Sequence, residues 1–228
     1  MPNRWMTMSA VIVCWNALAG PAAANVFDTC SRDMGDGAIA ACTALIASGE
    51  LSDLDLAATY FNRGITWYQQ GAWEQAIEDY SEAIELNPHF AQAFFSRGNA
   101  LDSKREYDLA IEDYDRAIKL DPTYAKAFNN RALVWDEKRQ YDRAIRDYGR
   151  AIVLDPTYAQ AFNNRGVAYV HKGEYDRAIR DFDQAIEIDP RYAAALFNRG
   201  IAKLKTGKTR DGRADMAAAA TVNGDFAK

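Results

Sequence analysis

Four prolines set the strongest constraint on this 228-residue chain: Pro88, Pro122, Pro156 and Pro190 recur every 34 residues. Other positions keep the same period. Small residues stand at Gly64, Gly98, Ala132 and Gly166. Alanines stand at Ala76, Ala110, Ala144 and Ala178, and again at Ala83, Ala117, Ala151 and Ala185; aromatics follow at Tyr80, Tyr114, Tyr148 and Phe182. A fixed period in this range marks a solenoid, whose units stack because none buries its apolar face alone. Within the first period, residues 57–70 and 73–86 read as two helices, with Gly71 allowing the turn between them and Asn87-Pro88 stopping the second. Arg105 and Arg139 replace glycine at that turn in the next two periods, which predicts slightly tighter or shifted turns there.

The residues Tyr60-x3-Gly64-x2-Trp67, then Ala76-x3-Tyr80, then Pro88, resemble the tetratricopeptide repeat (TPR). The resemblance implies an all-α fold, a right-handed TPR α-solenoid of helix-turn-helix units at 57–90, 91–124, 125–158 and 159–192. Gly64, Ala76 and Ala83 would let paired helices approach, with Trp67, Trp73, Ile77, Tyr80 and Ile84 filling the space around them.

Both ends depart from the period. Arg4, an apolar stretch from about Met6 to Ala19, the breaker Gly20-Pro21 and the small residues Ala22-Ala23-Ala24 read as a signal peptide (1–24) cleaved after Ala24. That places the mature chain in the periplasm or outside the cell. Cys30 and Cys42 then form an even pair in an exported chain, expected as a disulfide. Residues 36–46 look like the second helix of a repeat. Ala38 and Cys42 are spaced like Ala76 and Tyr80, so 25–56 is expected to be a stapled half-repeat cap. Residues 193–205 should form another first helix, 193–220 a degenerate closing repeat, and 221–228 a tail.

Arginine recurs at Arg63, Arg97, Arg131, Arg165 and Arg199, and aspartate 16 residues later at Asp79, Asp113, Asp147, Asp181 and Asp215. Because the two repeat in step, one on each helix, an internal bidentate bridge is expected in every unit. The alternative is an arginine row for acidic ligands. A second polar row comprises Asn62, Ser96, Asn130, Asn164 and Asn198, with Asn129 and Asn163 beside two of them. The resemblance puts first helices on the concave surface. There an asparagine ladder in some TPR proteins, including the O-linked N-acetylglucosamine transferases, bonds a peptide backbone; a carboxamide offers both donors and an acceptor. The alternative is that these asparagines satisfy neighbouring helices. Asn99, Asp102, Asp136, Glu137, Gln69 and His171 would border the same groove and favour a basic or neutral peptide. Lys126 alone stands where carboxylate-clamp TPRs place cations, with Gln92 and Gln160 at its equivalents.

The chain has 27 Lys+Arg and 32 Asp+Glu, a mild acidity that does not suggest nucleic-acid binding. The apolar stretch is too short for a membrane span. Two histidines make a multi-histidine metal site unexpected, and we find no Ser/His/Asp set or glycine-rich phosphate loop. No enzyme activity, cofactor or metal is expected. The reading is a scaffold that binds a protein or peptide partner, most simply as a monomer with a dimer as the alternative. A self-assembling module of the cell envelope is the competing function.

Overall fold

The computed structural model describes residues 26, 28–31 and 35–225; the leader read at 1–24, with its cleavage site, lies outside them. Residues 28–31 are helical, and eleven further helices follow among the described residues. They are α1 (Asp36–Ser48), α2 (Asp53–Gln69), α3 (Trp73–Leu86), α4 (Ala91–Ser103), α5 (Tyr107–Leu120), α6 (Ala125–Glu137), α7 (Tyr141–Leu154), α8 (Ala159–His171), α9 (Tyr175–Ile188), α10 (Ala193–Lys205) and α11 (Thr209–Asp225). The chain divides after Pro122 into two compact halves. In the first half, α2 packs on α3, α4 on α5 and α3 on α4; α1 covers α2. In the second, α6–α7, α8–α9 and α10–α11 form three such pairs, joined by α7–α8 and α9–α10 contacts.

One turn closes every first helix. The amide of the third residue past the helix bonds the carbonyl five residues back: Ala72 to Trp67, Glu106 to Leu101, Gln140 to Trp135, Glu174 to Tyr169 and Lys208 to Lys203. The residue between is left-handed, Gly71 at φ 78°, Gly173 at 75° and Gly207 at 81°. Arg105 and Arg139 adopt the same conformation, at φ 63° and 57°. The expectation of shifted turns is thereby corrected: the capping hydrogen bonds hold these arginines in a region that ordinarily disfavours a Cβ. Second helices end alike as well. Asn87, Asp155 and Asp189 turn their side-chain Oδ1 to accept the amides of His89, Thr157 and Arg191, bracketing each proline.

The core is a file of aromatic rings laid on small residues. Tyr80, Tyr114, Tyr148 and Phe182 are wholly buried. A Cβ added at Gly64 would stand 2.7 Å from Tyr80 Cε1, at Gly98 2.9 Å from Tyr114 Cε1, and at Gly166 2.6 Å from Phe182 Cε1. The first helix therefore seats directly on the ring of its partner helix. Alanines 76, 83, 110, 117, 144, 151, 178 and 185 show no exposed surface, as close approach requires. Trp73 departs from its expected core role: it opens α3 and is 37% exposed.

At the N-terminal end Cys30 and Cys42 form a disulfide, with Cα atoms 4.9 Å apart, and both are buried with Leu45. The bridge closes a short loop, which in the chain-entropy view contributes on the order of 3 kcal/mol. At the other end α11 runs through Thr221 to Asp225, so residues 221–225 are helix and not tail. Among the described residues no helix is long and apolar enough to cross a membrane.

Candidate functional site

The periodic arginines and aspartates meet within each repeat. Arg63, Arg97, Arg131, Arg165 and Arg199 each donate through Nε and Nη2 to both carboxylate oxygens of Asp79, Asp113, Asp147, Asp181 and Asp215, at 2.7–2.8 Å. A planar fork against a planar carboxylate fixes the rotation of both helices, which a lysine could not do. The guanidinium carbons of the first four also lie 5.5–5.8 Å from the rings of Tyr60, Phe94, Phe128 and Phe162, one turn earlier. Burial pushes the Asp79 and Asp113 carboxyls up, against the lowering effect of Arg63 and Arg97. The bond to Asp79 holds Arg63 up, against its own burial. Both groups of this bridge shift upward, which favours the charged arginine and disfavours the charged carboxylate. The desolvated carboxylate recovers less than burial took from it, so the bridge specifies geometry more than it adds stability.

The remaining guanidinium nitrogen reaches back to the preceding second helix. Arg97 Nη1 donates to Ser81 Oγ at 2.9 Å, and Arg199 Nη1 to Asp183 Oδ1 at 2.7 Å. Arg63 Nη1 finds Thr43 Oγ1 at 2.9 Å, so α1 supplies what a preceding repeat would. Thr43 precedes Ser81 by the same 38 residues that separate Cys42 from Tyr80. At the equivalent place before Arg165 stands Gly149, inside α7, where an added Cβ would meet only Arg165 Nη1 at 3.6 Å. Replacing Gly149 by alanine should raise stability by about 0.5–1 kcal/mol through helix propensity alone. Urea denaturation checks this, and a lowered midpoint would mean that the methyl group crowds Arg165.

The asparagines require a correction. Asn62, Ser96, Asn99, Asn129 and Asn163 are buried, and Asn130 has 0% of its surface exposed. Most of their carboxamides are bonded to neighbouring side chains. Asn129 Nδ2 donates to Asn130 Oδ1 at 3.1 Å, and Asn163 Nδ2 to Asn164 Oδ1 at 3.3 Å. Across helices, Asn164 Nδ2 donates to Asn129 Oδ1 at 3.2 Å, and Asn198 Nδ2 to Asn163 Oδ1 at 3.0 Å. Asn99 Oδ1 accepts the hydroxyl of Tyr114 at 2.8 Å. A carboxamide spent on a neighbour and sealed from water cannot also bond a peptide, so the row ties first helix to first helix. Only Asn164 and Asn198 keep part of their surface.

The two bonds between first helices share one offset, 35 residues. Tyr68 meets Ser103 at 3.3 Å in the first half, and His171 Nδ1 meets Asp136 Oδ1 at 3.2 Å in the second. First helices therefore touch one another past the second helix between them: α2 with α4, α6 with α8, and α8 with α10. They form a continuous face within each half. In the second half, half-buried Leu133, Val167 and Ile201 run along that face, with Val170, Leu204 and Asp136 a turn further on and Glu137, His171 and Lys205 exposed at its edge. Phe197 stands out. Its equivalents Phe61 and Phe95 are buried against Tyr80 and Tyr114, and Asn129 and Asn163 occupy the place in the next two repeats, but Phe197 is 44% exposed. Asp102 is half-buried on α4. Among the described residues no group of three or more His, Cys, Asp or Glu side chains is placed to hold a metal ion.

Tetratricopeptide repeat family models match residues 57–90, 91–124 and 159–192; a second one matches 113–146, and a TPR repeat model matches 137–173. No curated protein matches the chain. Among solved structures, a tetratricopeptide repeat protein from Parabacteroides merdae is similar at TM-score 0.74 and 20% identity, over 89% of this chain and 80% of that one. MamA is similar at TM-score 0.66 and 24% identity, over 72% and 96%. YrrB, described as a TPR protein with an unusual peptide-binding site, is similar at TM-score 0.63 and 22% identity, over 81% and 93%. At these identities the likeness concerns the fold.

Proposed function

This chain belongs to the tetratricopeptide repeat family, and from that membership we propose that it is a non-enzymatic scaffold holding an extended segment of a partner protein on the first-helix face of residues 125–205. The fold is a protein-interaction scaffold. The observation that carries the narrower reading is Phe197, a large apolar side chain left exposed on a face whose asparagines are bonded to one another. An aromatic at the end of an apolar row is a natural anchor for a partner side chain. Leu133, Val167 and Ile201 supply the row, and Asn164 and Asn198 the remaining carboxamide surface for the peptide backbone. Asp136 and Glu137 at one end favour a neutral or basic segment. YrrB, similar in fold, is described as having an unusual peptide-binding site, which is compatible with this reading.

The leader at residues 1–24 and the Cys30–Cys42 disulfide together support a periplasmic or secreted location. To test the binding reading, peptides are selected from a random display library on the purified chain, and their affinity is measured by fluorescence anisotropy. Phe197→Asp, checked by circular dichroism to be folded, should weaken the selected peptides about tenfold or more, equivalent to about 1.4 kcal/mol. Unchanged affinity in the folded variant would place the binding surface elsewhere.

A further inference from the structure

The mild overall acidity conceals a division along the chain. Residues 36–122 carry 6 Lys and Arg against 16 Asp and Glu, whereas residues 123–228 carry 19 against 14. Part of the change falls on the outward faces of the second helices, at fixed repeat positions. One position reads Glu78, Glu112, Arg146 and Arg180; another reads Glu82, Arg116, Arg150 and Gln184. On α3, Glu78, Glu82 and Glu85 are all exposed, and on α7 so are Arg143, Arg146 and Arg150. No side chain of these six makes an ion pair or hydrogen bond with another described residue. By contrast the outward Glu74 is paired with Lys104, and Asp142 with Lys172. Arg143 is held over the ring of Trp135, its guanidinium carbon 4.7 Å from the centroid, which fixes one end of the basic row.

The spacing of the two rows is complementary. Read from its C-terminal end, the acidic row advances by three residues and then four, from Glu85 to Glu82 to Glu78; read from its N-terminal end, the basic row does the same, from Arg143 to Arg146 to Arg150. Each row covers about two helical turns, on the order of 10 Å. Two helices laid antiparallel would bring all three charges into register at once. Val153, 68% exposed and one turn beyond Arg150, would then lie against the stem of Gln75.

We propose that the α3 face of one copy of this chain docks on the α7 face of a second copy, α3 antiparallel to α7, with Glu85, Glu82 and Glu78 against Arg143, Arg146 and Arg150. The contact joins two different faces, so each copy keeps one face of each kind and copies add head to tail. Exposed charges at a small interface give a weak, fast, salt-sensitive association and not an obligate oligomer. The surface is separate from the first-helix face, so copies joined this way would present several peptide-binding faces together.

Sedimentation velocity on the full chain at rising concentration tests this. In about 20 mM salt the wild type should shift to heavier species, and about 0.5 M salt should return it to monomer. Glu78→Arg/Glu82→Arg/Glu85→Arg should weaken association about tenfold or more, and so should Arg143→Glu/Arg146→Glu/Arg150→Glu. A one-to-one mixture of the two reversed variants should recover it. Glu50→Arg/Glu187→Arg/Asp211→Arg, which changes net charge equally at exposed positions elsewhere, should associate like the wild type. A wild type that stays monomeric at low salt, a reversed variant that still associates, or a mixture that does not recover overturns the proposal. So does a loss in the control variant, which would trace association to net charge alone.

Discussion

Replacing Phe182 by alanine should destabilise the pair α8–α9 by about 3–5 kcal/mol, the cost of a large buried cavity that the surroundings cannot fill. The reason lies in the seat on which the ring rests. Phe182 is wholly buried with Tyr169, Ala178, Ile179 and Ala202 around it, and Gly166 leaves no Cβ between the ring and α8. Collapse into the space would require α8 to move, yet α8 is also tied to α6 and α10 through Asn164 and Asn198. Stability in a repeat protein is a sum of local and nearest-neighbour contributions, so a single melting temperature would blur the effect. Hydrogen exchange should show protection lost first in α8 and α9. A drop below about 1 kcal/mol there would contradict the picture of rings seated on glycine.

The second large effect is expected at the Arg63–Asp79 bridge. Asp79→Ala leaves the Arg63 guanidinium, 18% exposed as a side chain, without its bidentate partner. The loss should be about 2–3 kcal/mol, below the full figure for a buried pair because water still reaches the arginine. Asp79 burial works against its charge, so the pair as a whole returns little net energy. Replacing both members, Arg63→Met with Asp79→Leu, should therefore recover most of the loss. Because Arg63 also holds Thr43, the single variant should loosen α1 from α2 as well. Chemical denaturation of both variants, with a double-mutant cycle, separates the outcomes; a double variant as unstable as Asp79→Ala would show that the bridge itself supplies the stability.

How much of this is legible in the sequence differs from residue to residue. The 34-residue period carries helix pairing directly, because small residues and prolines at fixed offsets leave few other packings. The partnership of Arg63 with Asp79 was visible because two opposite charges recur in step. The asparagines left two readings open because a period places a residue on a helix but does not say which neighbour that face meets. The usable signal was the doubling at Asn129-Asn130 and Asn163-Asn164, since adjacent positions cannot both face one groove. The left-handed Arg105 and Arg139 were concealed by side chains that normally avoid that conformation, although they fall on the positions of Gly71 and Gly173. The exposure of Phe197 was hidden for the same reason as the asparagines: Phe61 and Phe95 share its place and are buried. The change of charge sign between Glu78 and Arg146 was present in the residues but vanished in the total of −5.

The most direct measurement is amide hydrogen exchange of the chain with and without a selected peptide. Binding on the first-helix face predicts increased protection in α6, α8 and α10 around Leu133, Val167 and Phe197, with α7 and α9 unchanged on their outward faces. Protection confined to α7 and α9, or spread evenly along the chain, would contradict it.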